Sequence, residues 1–174
     1  MEVMTGTDSD DDCDPVELAS PPCLLSEIGP SYFGYLAPAE LIVLLNLLLE
    51  CERAGAQGVL ALSRRAANAE AQAALHAVAA DEARFCAMLT RHIERLGGTP
   101  SKSVGAFYDK LMAETDRARQ MSLLDRGQGW VVDKLRESLP KIADAALVGE
   151  LQEMLTVHEI NIARARTLET GAGA

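Results

Sequence analysis

Apolar residues recur at three- and four-residue steps in four long stretches of this chain, and this periodicity limits its fold more than any other feature. Amphipathic helices are predicted over about residues 38–66, 69–96, 104–139 and 145–168. Pro38 suits the first position of the first helix, Gly97 ends the second, and Pro140 follows the third. Because the connections are short, the sequence predicts an all-α, antiparallel up-down four-helix bundle over residues 38–168.

Charge is distributed unevenly along the chain, which carries a net charge of −10. The first 52 residues contain eleven acidic and no basic side chains, whereas the remainder is nearly balanced. Residues 1–14 form an acidic tail that is predicted to be disordered, as are residues 169–174. Since no basic stripe occurs, neither nucleic acid nor an anionic membrane is an expected partner.

Residues 15–37 have a different composition, with four prolines and the aromatic residues Tyr32, Phe33 and Tyr35. Aromatic side chains supply large contact areas, and a purely solvated linker does not need them. This segment is predicted to be an extended arm. Two interpretations are open: the arm packs on its own bundle, or it packs on a neighbouring subunit.

The location of the protein follows from what the chain lacks. Its start is acidic rather than basic and then apolar, so it is not expected to be a signal peptide, and the most apolar run, residues 41–49, is too short to span a bilayer. Four cysteines at irregular spacing match no zinc motif, and Cys51 and Cys86 are expected to be reduced packing residues. A cytoplasmic protein is predicted.

Each predicted helix has its apolar stripe interrupted near its middle. The interrupting residues are Glu52, Glu82, Asp125 with Gln128, and His158. Because the midpoints of bundled helices lie side by side, these side chains are expected to share one central layer. Buried carboxylates must be paired, protonated or bound to a metal ion, and carboxylates with one imidazole suit iron or manganese.

Five segments of the chain resemble the ferritin-like superfamily, and within it a rubrerythrin-related bacterial family of unknown function. They are LLECERAGAQ (48–57), DEARFCAMLTRHIERLGGTPS (81–101), GAFYDKLM (105–112), DRGQGWVVDKL (125–135) and LQEMLTVHEINIARA (151–165). Di-iron members of the superfamily carry a lone Glu on each of two helices and a Glu-x-x-His on each of the others. The resemblance implies that Glu52, Glu82, Asp125 and His158 are metal ligands.

The chain departs from that pattern at two positions, where Phe85 stands for the expected His and Leu155 for the expected Glu. Three interpretations are open: a single-metal site, a site rearranged to use Gln128 or Glu159, and a relic of a metal site. The resemblance implies a protein that binds iron or manganese and, if it is an enzyme, an oxidoreductase acting on oxygen or peroxide. The alternative is a non-catalytic accessory or interaction protein with a degenerate metal site.

Helix 1 contains more leucine than one apolar stripe can use. Leu44, Leu47 and Leu49 lie off the line of the main stripe, and a helix that is apolar on several sides is normally covered on several sides. A homodimer, or a docked protein partner, is therefore predicted to cover helix 1 together with the N-terminal arm.

Overall fold

The computed structural model describes residues 30–171, and every regular element in it is helical. A 3-10 turn at Pro30–Phe33 precedes five α-helices and a second 3-10 turn: α1 Pro38–Ser63, α2 Ala69–Arg95, α3 Phe107–Ala113, α4 Arg117–Ser138, the turn Leu139–Lys141, and α5 Ala145–Gly171. No strand occurs within this part of the chain. The predicted all-α class is confirmed.

Local sequence signals set the ends of the helices. The Asn68 side chain accepts a hydrogen bond from the backbone N–H of Ala71 (2.8 Å), and Asp144 accepts one from Leu147 (3.0 Å), so the predicted caps of α2 and α5 are present. Just beyond α2, Gly97 has a φ of +77°, which a residue with a side chain rarely adopts. The glycine therefore stops the helix where the sequence predicted.

The predicted third helix, 104–139, is wrong in its first part, because the chain breaks it into α3 and α4. Glu114 has an extended backbone, and Asp116 then caps α4. The buried Gln120 amide donates to the carbonyls of Glu114 (2.6 Å) and Leu111 (3.3 Å). This amide satisfies carbonyls at the end of α3 and so stabilises the break.

The connection between α2 and α4 runs along α1 instead of making a short turn. Successive contacts join Gly98 to Ile42, Ser101 to Asn46, Gly105 to Glu50, and Leu111 to Gly58. Residues 96–116 therefore follow α1 from its N-terminal to its C-terminal end. As a result α4 starts beside the N-terminal end of α2 and runs in the same direction, which differs from the predicted up-down order.

The last helix, α5, runs antiparallel to α2. Side chains of the two helices pair in reverse order, as Arg84 with Glu153 (2.5 Å) and Arg95 with Asp144 show. Such exposed ion pairs contribute little stability individually, so the apolar interior holds the helices together.

Two apolar clusters fill the interior, one at each end of the helices. The larger lies at the N-terminal half of α1 and includes Leu45, Leu49, Leu89, Leu135, Leu147 and Leu151. The smaller lies at the C-terminal half of α1 and includes Val59, Leu62, Leu75, Leu111 and Leu124. Buried polar residues occupy the level between them.

The described part of the N-terminal arm leaves its aromatic rings exposed. Tyr32 and Phe33 are 77% and 55% exposed and meet edge to face, with ring centroids 5.4 Å apart. The arm is tied to the helices by the Leu36 N–H, which donates to the Lys141 carbonyl (2.8 Å). These two rings are therefore largely exposed on the described part of the chain. The acidic tail and residues 15–29 lie outside the described residues.

More leucines of α1 pack into the protein's own core than the sequence predicted. Leu49 is completely buried, and Leu44 packs against the larger apolar cluster. Leu47 remains exposed, one turn after the exposed Val43. Among residues 30–171 no helix is sufficiently long and apolar to cross a membrane.

Candidate functional site

Four helices each contribute one buried polar side chain to the level between the two apolar clusters. They are Glu52 from α1, Glu82 from α2, Gln128 from α4 and His158 from α5, and each is at most 7% exposed. We refer to these four residues as the polar layer. The structure thus brings together three of the four residues predicted as ligands, and Gln128, which the sequence also placed at this level.

The Gln128 amide joins two members of the polar layer. Its Nε2 donates to Glu82 Oε1, and its Oε1 lies 2.5 Å from Nδ1 of His158. With the Gln128 amide oriented to donate to Glu82, its oxygen accepts from the imidazole, so in this arrangement His158 carries its proton on Nδ1. In the neutral imidazole the lone pair is then on Nε2, on the side that faces Glu52.

Three acceptor atoms of the polar layer are left without hydrogen-bond partners among the described residues: Glu52 Oε2, Glu82 Oε2 and His158 Nε2. His158 Nε2 lies 3.2 Å from Glu52 Oε1, close enough for an ion pair but not aligned for a hydrogen bond. Unsatisfied buried acceptors are costly, on the order of 1–3 kcal/mol each. Because the polar layer has more hydrogen-bond acceptors than donors, a bound proton or cation would stabilise it.

Burial raises the pKa of Glu82 well above its ordinary value, and the nearby Glu52 carboxylate raises it further. The hydrogen bond from Gln128 opposes this shift but is the smaller influence. Without a bound cation, Glu82 therefore retains its proton to higher pH than an exposed carboxyl group does.

A glycine on α1 makes room for the Glu82 carboxylate. All three carboxyl atoms of Glu82 would lie within 3 Å of a Cβ built on Gly55. Since Gly55 is itself buried in the middle of α1, the two helices approach closely at this point and the carboxylate fills the space.

The positions where the sequence departs from the ferritin-like pattern hold packing residues. The Phe85 ring stacks on His158, with centroids 5.8 Å apart and planes inclined by 24°. Leu155 packs against the larger apolar cluster. Both side chains contribute apolar contacts at places where the resemblance implies further ligands.

Asp125, the α4 acid to which the resemblance points, lies one turn before Gln128 and is half-buried. The side chain that α4 inserts between Glu82 and His158 is that of Gln128. The assignment of Asp125 as a metal ligand stays a prediction. Glu159 is exposed and pairs with Arg136 (2.7 Å), as a residue on the flank of α5 does.

Asn161 is a buried polar residue that the sequence reasoning missed. Its Nδ2 donates to Asp81 Oδ2 (3.3 Å), and its Oδ1 has no partner among the described residues. The available signal was its spacing, because Asn161 lies one turn after His158 and Asp81 immediately precedes Glu82.

The cysteines near the polar layer remain thiols. Burial and the Glu52 carboxylate raise the pKa of Cys51 to about 11 and that of Cys86 to about 12. Both are free cysteines that pack against the larger apolar cluster. They act as small apolar residues, as the sequence predicted.

A cavity of about 620 Å³ leads from the polar layer to the surface. We call it the side cavity; it lies between α1, α3 and α4, and Glu52, Glu82 and Gln128 line its inner end. The side cavity therefore lies against the polar layer, whose Glu52 Oε2 and Glu82 Oε2 atoms remain buried. As the side chains stand, no group of three or more His, Cys, Asp or Glu within residues 30–171 is arranged to hold a metal ion.

Comparison with known proteins places the chain in a family. A domain of unknown function, DUF6306, matches residues 39–168. The chain belongs to this family. No curated protein and no solved structure matches it.

The family match contains the entire polar layer. It begins one residue after the start of α1 and ends within α5, so that Glu52, Glu82, Gln128 and His158 all belong to the DUF6306 domain. The exposed rings of Tyr32 and Phe33 precede it.

Proposed function

We propose that this DUF6306 protein is a ferritin-like four-helix bundle that binds one metal ion, iron or manganese, within the polar layer. The course of the chain supports the fold assignment: ferritin-like bundles contain one long crossover between their two helix pairs. Residues 96–116 form such a connection between the α1–α2 and α4–α5 pairs.

The observation that carries the proposal is the set of three unpartnered acceptors at one level. Glu52 Oε2, Glu82 Oε2 and His158 Nε2 come from three different helices, and all are buried. Two carboxylates and one imidazole suit iron or manganese. Because these side chains are not yet arranged as a ligand set, the two glutamates have to close on the ion as it binds.

The contact between Gln128 and His158 also supports the proposal. Imidazoles that bind metal ions usually donate their second N–H to a neighbouring oxygen, which fixes the tautomer and the ring orientation. Here Nδ1 faces Gln128 Oε1, which leaves Nε2 as the ligand atom. Gln128 also donates to Glu82, so one amide orients both ligands.

A bound iron or manganese ion would supply redox chemistry with oxygen or peroxide. The chain's own residues would hold and shield it: Glu52 and Glu82 provide negative charge, and His158 a neutral nitrogen. Phe85 covers one face of the imidazole and keeps water from it. Metal binding would also displace the proton that burial holds on Glu82.

The proposal is tested by metal analysis of protein purified without chelator, followed by anaerobic titration with Fe²⁺ and Mn²⁺. Near-stoichiometric binding is expected, and Glu82→Gln or His158→Ala should reduce it at least tenfold. Glu153→Gln and His76→Ala, which change exposed residues on α5 and α2, are the matched controls. Failure to bind either ion, or equal binding by the Glu82 and His158 variants, would overturn the proposal.

A second candidate is a non-catalytic accessory protein that keeps the bundle with a degenerate metal site. Phe85 and Leu155 favour it, because they place apolar side chains where the resemblance implies ligands. In that case the polar layer is a proton-sharing cluster. Absence of metal together with a stable fold would support this function over the first.

We further propose a homodimer, or a docked protein partner, that covers the exposed apolar residues at the N-terminal end of α1. Val43 and Leu47 lie one turn apart on the exposed side of this helix, and Tyr32 and Phe33 are exposed before it. Exposed apolar residues that cluster on one surface are typical of protein interfaces, and Val43 and Leu47 form such a pair on α1.

A further inference from the structure

The side cavity has the size and composition of a site for a small organic molecule. Its volume of about 620 Å³ falls within the range of ligand pockets, roughly 300–1,000 Å³. Large apolar side chains line much of its wall: Leu47, Phe107, Leu123, Leu124, Trp130 and Val131. An apolar wall that ends at a few polar groups is typical of a binding site.

The outer part of the wall is aromatic and partly exposed. Trp130 is 42% exposed although it lies on α4 beside buried Val131, and Phe107, at the start of α3, also lines the cavity. Gly127 makes room for Phe107, because a Cβ at this glycine would lie 2.8 Å from the phenylalanine ring. The glycine therefore determines where the ring stands in the wall.

The charges of the side cavity differ between its two ends. Lys110 and Arg126 line it, and Arg126 Nη1 also donates a hydrogen bond to the neutral Ser122 hydroxyl (3.2 Å). Glu50 also lines it and keeps its negative charge while accepting a hydrogen bond from the Ser101 hydroxyl (2.5 Å), so Lys110 and Arg126 together exceed it by one positive charge. The inner end has the carboxyl groups of Glu52 and Glu82, where an additional anion would be repelled.

We propose that the side cavity binds an organic carboxylate with an apolar body. The carboxylate lies beside Lys110 and Arg126, and the body packs along Phe107, Trp130 and Leu124 toward the polar layer. The opposite orientation is disfavoured, because it would bury an anion against Glu52. The biological role of this ligand rests on the proposed function, because the ligand would be the substrate or effector of the metal site. The binding itself requires no metal.

Binding is measured with decanoate, decanol and acetate on chelator-treated protein. Trp130 is the only tryptophan of the chain, so its fluorescence reports occupancy of the side cavity directly. Decanoate is expected to bind with a micromolar Kd and to change the Trp130 emission. Decanol, which lacks the charge, should bind about tenfold more weakly, equivalent to about 1.4 kcal/mol. Acetate, which lacks the body, should not bind.

Variants separate recognition of the carboxylate from recognition of the body. Lys110→Gln and Arg126→Gln should each weaken decanoate binding roughly tenfold and leave decanol unchanged. Leu47→Phe, which adds bulk at a partly exposed wall position and no second tryptophan, should weaken both ligands. Lys141→Gln is the control, since Lys141 pairs with Glu137 (3.3 Å) away from the cavity.

Equal affinity for decanoate and decanol, or unchanged decanoate binding in both cation variants, would overturn the proposal. Absence of decanoate binding would do the same. Because the titration uses metal-free protein, its outcome is independent of the metal analysis. A protein that binds metal but no decanoate would refute only the ligand proposal, and the reverse result would refute only the metal proposal.

Discussion

The carboxyl group of Glu82 on α2 occupies the space where a side chain at Gly55 of α1 would begin. A Cβ at position 55 would come within 2.6 Å of Glu82 Oε1 and 2.9 Å of Oε2. The absence of a side chain on α1 thus determines where a buried carboxyl group of α2 can stand. This contact connects the packing of the two helices to the geometry of the polar layer.

Gly55→Ala should displace the Glu82 carboxylate. The added methyl group cannot be accommodated without moving that side chain or separating the helices, so we expect a loss of about 1–3 kcal/mol in the free energy of unfolding and a lower metal content. Gly149→Ala is the matched control: nothing lies within 4 Å of its Cβ, and alanine should stabilise α5 by up to about 1 kcal/mol. Equal effects in urea unfolding would contradict this account of Gly55.

Glu82→Gln should stabilise the metal-free protein at neutral pH. In the unfolded chain Glu82 loses its proton near its ordinary pKa of 4.5, whereas the folded protein holds it to higher pH. The stability that Glu82 contributes is therefore complete below about pH 4.5 and declines as the pH rises toward the folded pKa, by at most about 1.4 kcal/mol per pH unit.

Unfolding of the wild type and Glu82→Gln is compared from about pH 5 to pH 8 in the presence of chelator. The advantage of the glutamine variant should increase across this interval, because glutamine has no proton to lose. A constant difference between the two proteins would show that the pKa of Glu82 is not raised. The same variant should lose metal binding, so stability and function change in opposite directions.

Gln128→Met should disconnect the polar layer at nearly constant volume. Glu82 Oε1 and His158 Nδ1 would both lose their partner, at a cost of about 1–3 kcal/mol. Nitrogen NMR of the imidazole is the specific measurement, since the Nδ1-protonated tautomer should no longer predominate. Trp130→Met, on the same helix, should leave the His158 tautomer unchanged.

Asp144→Ala should cost about 1 kcal/mol at neutral pH, because it removes the N-cap of α5. Two hydrogen bonds lower the pKa of Asp144 below its ordinary 3.8: the one from the Leu147 N–H has the larger influence, and the one from the Arg95 guanidinium the smaller. Its contribution is thus present above that value and is lost as the pH falls through the folded pKa. The deficit of the variant in thermal unfolding should shrink in acid; Asp133→Ala, at an exposed position of α4, should show no such trend.

Tyr32→Ser combined with Phe33→Ser should change assembly rather than monomer stability. Both rings are exposed, so their removal should alter the free energy of unfolding of a monomer by no more than about 0.5 kcal/mol. If they lie in a homodimer interface, light scattering should show a shift from dimer to monomer. Ile160→Ser, at an exposed position of α5, is the control. A dimer that persists in the double variant would exclude these rings from the interface.

Much of the fold was predictable because its signals are local. The caps at Asn68 and Asp144 and the stop at Gly97 depend on residues within one turn, and each is present in the structure. The break between α3 and α4 also has a local cause, in Asp116 and Gln120, but the continuous periodicity of the surrounding residues hid it.

The position of the polar layer along the helices was also predictable from the sequence, because a polar residue in the middle of an apolar stripe must be buried with the stripe. Glu52, Glu82 and His158 meet as this reasoning requires. The choice between Asp125 and Gln128 was not readable, since the two lie one turn apart on α4. A small rotation of the helix about its axis decides which of them reaches Glu82.

The sequence by itself determined the helices, their ends and the depth of the polar residues, since hydrophobic periodicity and capping act within a few residues. Only the tertiary structure decided the direction of α4, because that depends on contacts such as Gly105 with Glu50, 55 residues apart. It also created the side cavity and the contact of Gly55 with Glu82. These features arise where helices distant in the chain approach, and the distance between two helices is set by the packing of all their side chains together.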